Sequence, residues 1–105
     1  MIETKLLRAI ERSEQAYALY KQNQKYFQAL RIFKANKVIY QLLEEYLFIC
    51  SDDKTQSVNN YLFHLEDWMV QFQKEEIDKK LADSFVFERL DDSIAFPHSF
   101  KTSLL

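Results

Sequence analysis

Residues 21–39 have the sequence KQNQKYFQALRIFKANKVI, in which a polar Gln-Asn-Gln break leads into apolar side chains at helical spacing. Apolar residues recur at the same intervals of three and four before the break, from Leu6 to Tyr20. The break interrupts this stripe, and Asn23 competes locally for backbone hydrogen bonds. We therefore predict a turn at residues 22–24 that folds residues 3–49 into a helical hairpin. The alternative is a single helix over the same residues, about 70 Å long, which suits a coiled-coil dimer.

The rest of the chain predicts two more helices and a tail. Residues 51–55, SDDKT, offer several N-cap side chains and two carboxylates suited to the positive end of a helix. An apolar stripe that follows them predicts a third helix over residues 55–73, and a weaker stripe predicts a shorter fourth helix over residues 75–90. Residues 93–105 contain Pro97 and are expected to run extended, with Phe96 and Phe100 either docked on the bundle or loose.

The composition favours long helices joined by few turns. The chain of 105 residues has no glycine and a single proline, while 48% of its residues are hydrophobic. Strand-rich folds use glycine, asparagine and proline at many tight turns, so this composition argues against them. The apolar face of the second helix is wide enough to pack against neighbours on two sides. We predict an all-α, antiparallel three- to four-helix bundle over residues 1–92, with an extended C-terminal tail over residues 93–105.

Charge is divided unevenly between the two halves of the chain. Residues 1–50 carry eight Lys/Arg and five Asp/Glu, for +3, whereas residues 51–105 carry six and eleven, for −5. The two halves either neutralise each other or recruit oppositely charged partners. The longest purely apolar run, residues 46–50, is far shorter than the ~20 residues that span a membrane. A single cysteine and the absence of a signal-like stretch predict a cytoplasmic protein without a membrane span.

The residue types that support catalysis or metal binding do not form a recognisable pattern. A di-iron bundle needs Glu-x-x-His, but Tyr61 stands three residues before His64. Cys50 lies at the C-terminal end of a predicted helix, where the dipole disfavours a thiolate. Glycine-rich phosphate loops are impossible without glycine. We therefore predict no catalytic residue, no cofactor and no metal ligand, and hence no enzyme, although a subunit of an enzyme with a shared site is an alternative.

The segment YFQALRIF, residues 26–33, resembles the second helix of a tetratricopeptide-type hairpin. Ala16 stands about where such hairpins have a small residue on the first helix. Small side chains at Ala16 and Ala29 would allow two helix axes to approach each other closely.

Residues 5–72 also resemble the microtubule-interacting and trafficking domain, a three-helix bundle. The resemblance rests on the Ala-Ile pair at residues 9–10 and on Tyr61, Leu62 and Glu66 of the third predicted helix. It implies a groove between helices that accepts a partner helix or tail peptide. Carried over to this chain, that groove would involve the exposed flanks of the third helix. The site residues predicted there are His64, Asp67 and Trp68.

Basic residues form a ridge on the polar side of the second predicted helix, and they are Lys21, Lys25, Arg31, Lys34 and Lys37. We predict that Arg31, Lys34 and Lys37 contact a partner. The preferred hypothesis is a non-enzymatic protein–protein interaction module of the adaptor, chaperone, antitoxin or immunity type, with a protein partner or a second copy of itself. The alternative is a nucleic-acid-associated regulator that uses the ridge, although an isoelectric point near 5.7 argues against it.

Overall fold

A computed structural model describes residues 1–23, 25–81 and 96–105 of the chain. Three long helices and one short helix make up this part, and it contains no strand. The predicted all-α bundle is therefore confirmed. The helices are α1, Ile2–Asn23; α2, Tyr26–Leu47; α3, Asp52–Leu81; and α4, His98–Ser103.

The chain does reverse between the first two helices, and a continuous helix over residues 3–49 is wrong, but the predicted turn at residues 22–24 is displaced because Gln22 and Asn23 still belong to α1. The first helix ends at Asn23, and the second begins at Tyr26 after Lys25, whose backbone is extended at φ −93° and ψ 144°. The two helices then pack side by side. Ser13 donates a hydrogen bond of 2.6 Å to Asn36 Oδ1 across the pair, which fixes the register of the hairpin.

The third helix is longer than the predicted one. It begins at Asp52 rather than at residue 55, and it continues past residue 73 to Leu81 without a break. Residues 73–76, QKEE, are strong helix formers, so nothing in them stops the helix even though the apolar stripe weakens. The first part of the predicted fourth helix, residues 75–81, therefore belongs to α3. The remainder of that prediction, residues 82–90, and the predicted domain boundary at residue 92 lie outside the described residues.

The predicted extended tail is wrong for residues 98–103, which form α4. Pro97 precedes this helix with φ −59°, and its carbonyl accepts hydrogen bonds from the N–H groups of Phe100 and Lys101. Proline is compatible with a helix start because its fixed φ suits the first turn. Phe96, Phe100 and Leu104 recur every four residues and are all buried, so the docked alternative is confirmed for the two phenylalanines.

The core consists of two buried clusters, with α2 packed against both α1 and α3. One cluster contains α4, and there the ring of Phe100 lies 4.9 Å from that of Tyr61 and 6.5 Å from that of Tyr46. The other cluster lies nearer the hairpin turn, and in it Phe72 stacks between Phe33 and Trp68. Among the described helices, none combines the length and apolar character that crossing a membrane requires.

Candidate protein-interaction groove

A groove with a volume of about 510 Å³ runs between α1 and α2 on the surface of the hairpin. All of the described residues that line it belong to these two helices. Its lining residues recur every three or four positions on each helix, which places them on one face. From α1 these are Ala9, Arg12, Gln15, Ala16 and Leu19, and from α2 they are Arg31, Lys34, Ala35 and Val38.

The groove is hollow because its floor is made of small residues. Ala9 and Ala16 of α1 are buried, and Ala35 of α2 is half-buried. Each of these side chains ends at Cβ, so the space that a leucine would fill stays open between the two helices. Leu19 and Val38 stand on the rims and are both exposed to solvent. The result is an apolar trough along the hairpin.

The electrostatic character of the groove is cationic. Arg12 contributes a charge from α1, while Arg31 and Lys34 contribute two from α2, and all three side chains are exposed. Among the described residues that line the groove, none is acidic. Like charges therefore converge here without a carboxylate among the described lining residues, which gives the groove a local excess of positive charge.

Of the three basic residues predicted to contact a partner, two line this groove and one does not. Arg31 and Lys34 line it, whereas Lys37 is exposed on α2 but absent from the lining. Lys21 was predicted on the ridge of the second helix but belongs to α1, and it is also absent from the lining. Its ammonium lies over the ring of Tyr17, 4.9 Å from the ring centre. The residues of the predicted basic ridge therefore do not form one surface: some line the groove and others lie outside it.

The three site residues predicted on the third helix lie on different sides of α3. His64 and Asp67 are exposed, and the ring of His64 meets that of Phe63 edge-on at 5.8 Å. Trp68 is only 5% exposed and stacks on Phe72 in the core. None of the three lines the groove between α1 and α2.

Sequence reasoning missed several groove residues, which are Arg12, Gln15, Leu19, Ala35 and Val38. The spacing of alanines and basic residues on α1 carried a signal, because residues 9, 12, 16 and 19 share one helix face. That signal becomes informative only when the register of the hairpin is known. The Ser13–Asn36 hydrogen bond provides this register.

The described residues show no arrangement suited to metal binding. No group of three or more His, Cys, Asp or Glu side chains that could hold a metal ion occurs in this part of the chain. The Cys50 thiol is half-buried beside the end of α2, where its Sγ lies 3.7 Å from the carbonyl oxygen of Leu47 and 3.9 Å from Thr55 Oγ1. Its sulfur therefore contacts the helix junction.

Tyr26 has a strongly raised pKa, and a hydrogen bond between helices is the main cause of this shift. The Tyr26 hydroxyl donates a hydrogen bond of 2.7 Å to Glu76 Oε1, which joins the start of α2 to the far part of α3. This bond, together with desolvation and the nearby carboxylate charge, raises the pKa of Tyr26 to about 12. Neither residue lines the groove, so the pair serves the packing of α3 on the hairpin.

Comparison of the chain with protein-family models, with curated proteins and with solved structures finds no match.

Proposed function

We propose that this protein is a non-enzymatic interaction module whose α1–α2 groove binds an acidic amphipathic helix of a partner protein. The observation that carries this proposal is the combination of three exposed cations with an apolar floor, without an acidic residue among the described lining residues. Adaptor, chaperone, antitoxin and immunity roles are all compatible with this mode of recognition.

The dimensions of the groove support a helical ligand. Residues 9 and 19 of α1 lie about 15 Å apart along the helix axis, which corresponds to nearly three turns of a bound helix. A helix that lies in a groove inserts apolar side chains at spacings of three, four and seven residues. The alanine floor accepts such side chains, and Leu19 and Val38 would cover their flanks.

The cations that line the groove determine the sign of the charge that a ligand must carry. Acidic residues on both edges of a bound helix would meet Arg12 on one wall of the groove and Arg31 and Lys34 on the other. Arginine forms bidentate hydrogen bonds with carboxylates, which adds geometric specificity to the attraction. A basic amphipathic helix of the same shape would be repelled, so charge rather than apolar area selects the partner.

The proposal is tested with two synthetic amphipathic peptides of about 18 residues, each with leucine at helical spacing. One peptide carries glutamate on its flanks, and the other carries lysine at the same positions. We expect the acidic peptide to bind with a dissociation constant in the micromolar range, as measured by fluorescence anisotropy or calorimetry. The basic peptide should not bind. Failure of the acidic peptide to bind at about 1 mM would reject the proposal.

Charge reversal on α2 distinguishes the groove from the whole basic ridge. The double substitution Arg31→Glu and Lys34→Glu should weaken binding of the acidic peptide at least about tenfold, because each reversal replaces attraction with repulsion. Lys37→Glu makes the same change outside the groove and should weaken binding by less than about threefold.

Nucleic acid is tested in the same assay with a short labelled DNA duplex. Binding to the duplex that falls steeply with salt, and that depends on Lys37 as much as on Lys34, would favour the nucleic-acid alternative over the groove.

A further inference from the structure

A second exposed apolar surface lies on α3, on the side that faces away from the core. Phe63, Val70 and Ile77 are 68%, 54% and 63% exposed. They follow one another at intervals of seven residues, so they share one face of the helix. Leu65 and Phe72, which are fully buried, mark the opposite face. We call these three exposed residues the α3 stripe.

The α3 stripe is absent from the lining of the α1–α2 groove, so the proposed function does not use it. Three large apolar side chains repeat at heptad spacing on this exposed face, and the positions between them are polar, so an interface here would combine apolar contacts with polar ones. From the self-complementary order of its residues, we infer that the α3 stripe pairs with the α3 stripe of a second copy of this chain, antiparallel and about a two-fold axis at Val70.

The residues along α3 match themselves in this antiparallel arrangement. With the axis at Val70, Phe63 of one copy lies opposite Ile77 of the other and Val70 lies opposite itself, so apolar residues meet at all three positions of the stripe. In an isologous interface the two-fold axis makes every off-axis contact occur twice, so the Phe63–Ile77 contact forms at both ends of the interface.

The charges beside the stripe match as well. Glu66 lies opposite Lys74 of the second copy, and the symmetry gives this ion pair twice. Both residues are exposed in the single chain. A parallel arrangement would instead place Glu66 and Asp67 against the same residues of the second copy, where their charges repel. The antiparallel register is therefore the one that the sequence of α3 favours.

The expected dimer is weak. The distance from residue 63 to residue 77 corresponds to about 21 Å of helix, and one contact of four turns lies at the small end of specific interfaces. We expect a monomer–dimer equilibrium in the micromolar range, which sedimentation velocity over a series of concentrations measures directly. A chain that remains monomeric up to about 1 mM would overturn the inference.

Substitution at the axis tests the position of the interface. Val70→Glu places two like charges against each other at the centre and should weaken the dimer at least about tenfold. Phe48→Glu is the matched control, because it also replaces an exposed apolar residue, one that is 89% exposed and lies outside α3. It should leave the equilibrium unchanged. If Val70→Glu dimerises as the original chain does, or if Phe48→Glu abolishes the dimer equally, the α3 stripe is not the interface.

Charge swaps test the antiparallel register. Glu66→Lys and Lys74→Glu should each weaken self-association, since either change puts like charges opposite each other twice. An equal mixture of the two variants should form a heterodimer, because both ion pairs are then restored between unlike copies. The double variant should also recover the original dimer. Absence of both recoveries would overturn this register, while thermal unfolding of each variant confirms that the monomer is folded.

Discussion

The packing of α4 on the bundle predicts that Phe100→Ala destabilises the protein. This substitution removes the central side chain of the contact between α4 and the bundle. Phe100 is 8% exposed, and its ring contacts those of Tyr61 and Tyr46 at the distances given above. The Lys101 ammonium lies 2.9 Å from Glu14 Oε2 and holds α4 against α1, but this pair is partly exposed. We expect the ring, rather than the ion pair, to provide most of the docking free energy.

The magnitude follows from burial and ring contacts. Burial of a phenylalanine side chain contributes about 2–3 kcal/mol to the free energy of unfolding. Each aromatic pair adds about 0.5–1 kcal/mol beyond its buried area. With two such pairs, the substitution Phe100→Ala should lower the free energy of unfolding by about 3–5 kcal/mol, which is the range found for buried phenylalanines. For a domain of this size, the melting temperature should fall by roughly 14–23 °C.

Urea and thermal unfolding followed by circular dichroism measure this change. Leu105→Ala is the control, because Leu105 is 91% exposed and its truncation should alter the free energy of unfolding by less than about 0.5 kcal/mol. A double-mutant cycle with Tyr61→Leu should yield a coupling free energy of about 1 kcal/mol. A loss below about 1 kcal/mol for Phe100→Ala, or no coupling to Tyr61, would refute the docking of α4 described above.

Three further predictions concern polar groups between the helices. Asn36→Ala should lower the free energy of unfolding by about 1–3 kcal/mol, because it leaves the Ser13 hydroxyl without its acceptor, and Ser13→Ala combined with Asn36→Ala should cost less than the sum of the two. Gln28→Met should raise the free energy of unfolding by about 1 kcal/mol, since Gln28 Oε1 is buried without a hydrogen-bond partner in the described structure; an unchanged or lower value in urea unfolding would contradict this. Tyr26→Phe should lower the free energy of unfolding by about 1 kcal/mol at neutral pH, because the hydrogen bond to Glu76 is lost. Because folding raises the pKa of Tyr26 from 10.0 to about 12, this advantage is complete below pH 10 and is lost as the pH rises towards 12, so the two unfolding curves should converge over that interval.

The hairpin was predictable because its signals are local. Polar residues around Asn23 interrupt an otherwise regular stripe, and a turn is the simplest structure that satisfies both observations. The C-terminal helix was not predicted, because Pro97 suggested an extended chain and only three apolar residues, Phe96, Phe100 and Leu104, marked the helical spacing. A helix of this length is unstable alone, so only its packing in the bundle makes it form.

The groove was predictable only in part, for a related reason. The basic pattern on α2 identified Arg31 and Lys34, because residues three apart lie on neighbouring parts of a helix surface. Arg12 lies in a different helix, and its approach to these two depends on the register of the hairpin, which periodicity does not specify. Trp68 shows a second limit of sequence-based prediction, which is that residue type alone does not distinguish an interface from a core. Its aromatic ring suits both an interface and a core, and its 5% exposure assigns it to the core in the described structure.

The ion pair between Glu14 and Lys101 joins residues that are 87 positions apart along the chain. Such a contact forms only after a large loop closes, whereas the turn between α1 and α2 closes a short one. The hairpin should therefore assemble early in refolding, and α4 should fold and attach in a single late event. In the native state the same helix should detach before the others, so its amide hydrogens exchange with solvent fastest among the helices described, and each detachment briefly exposes the ring of Tyr61.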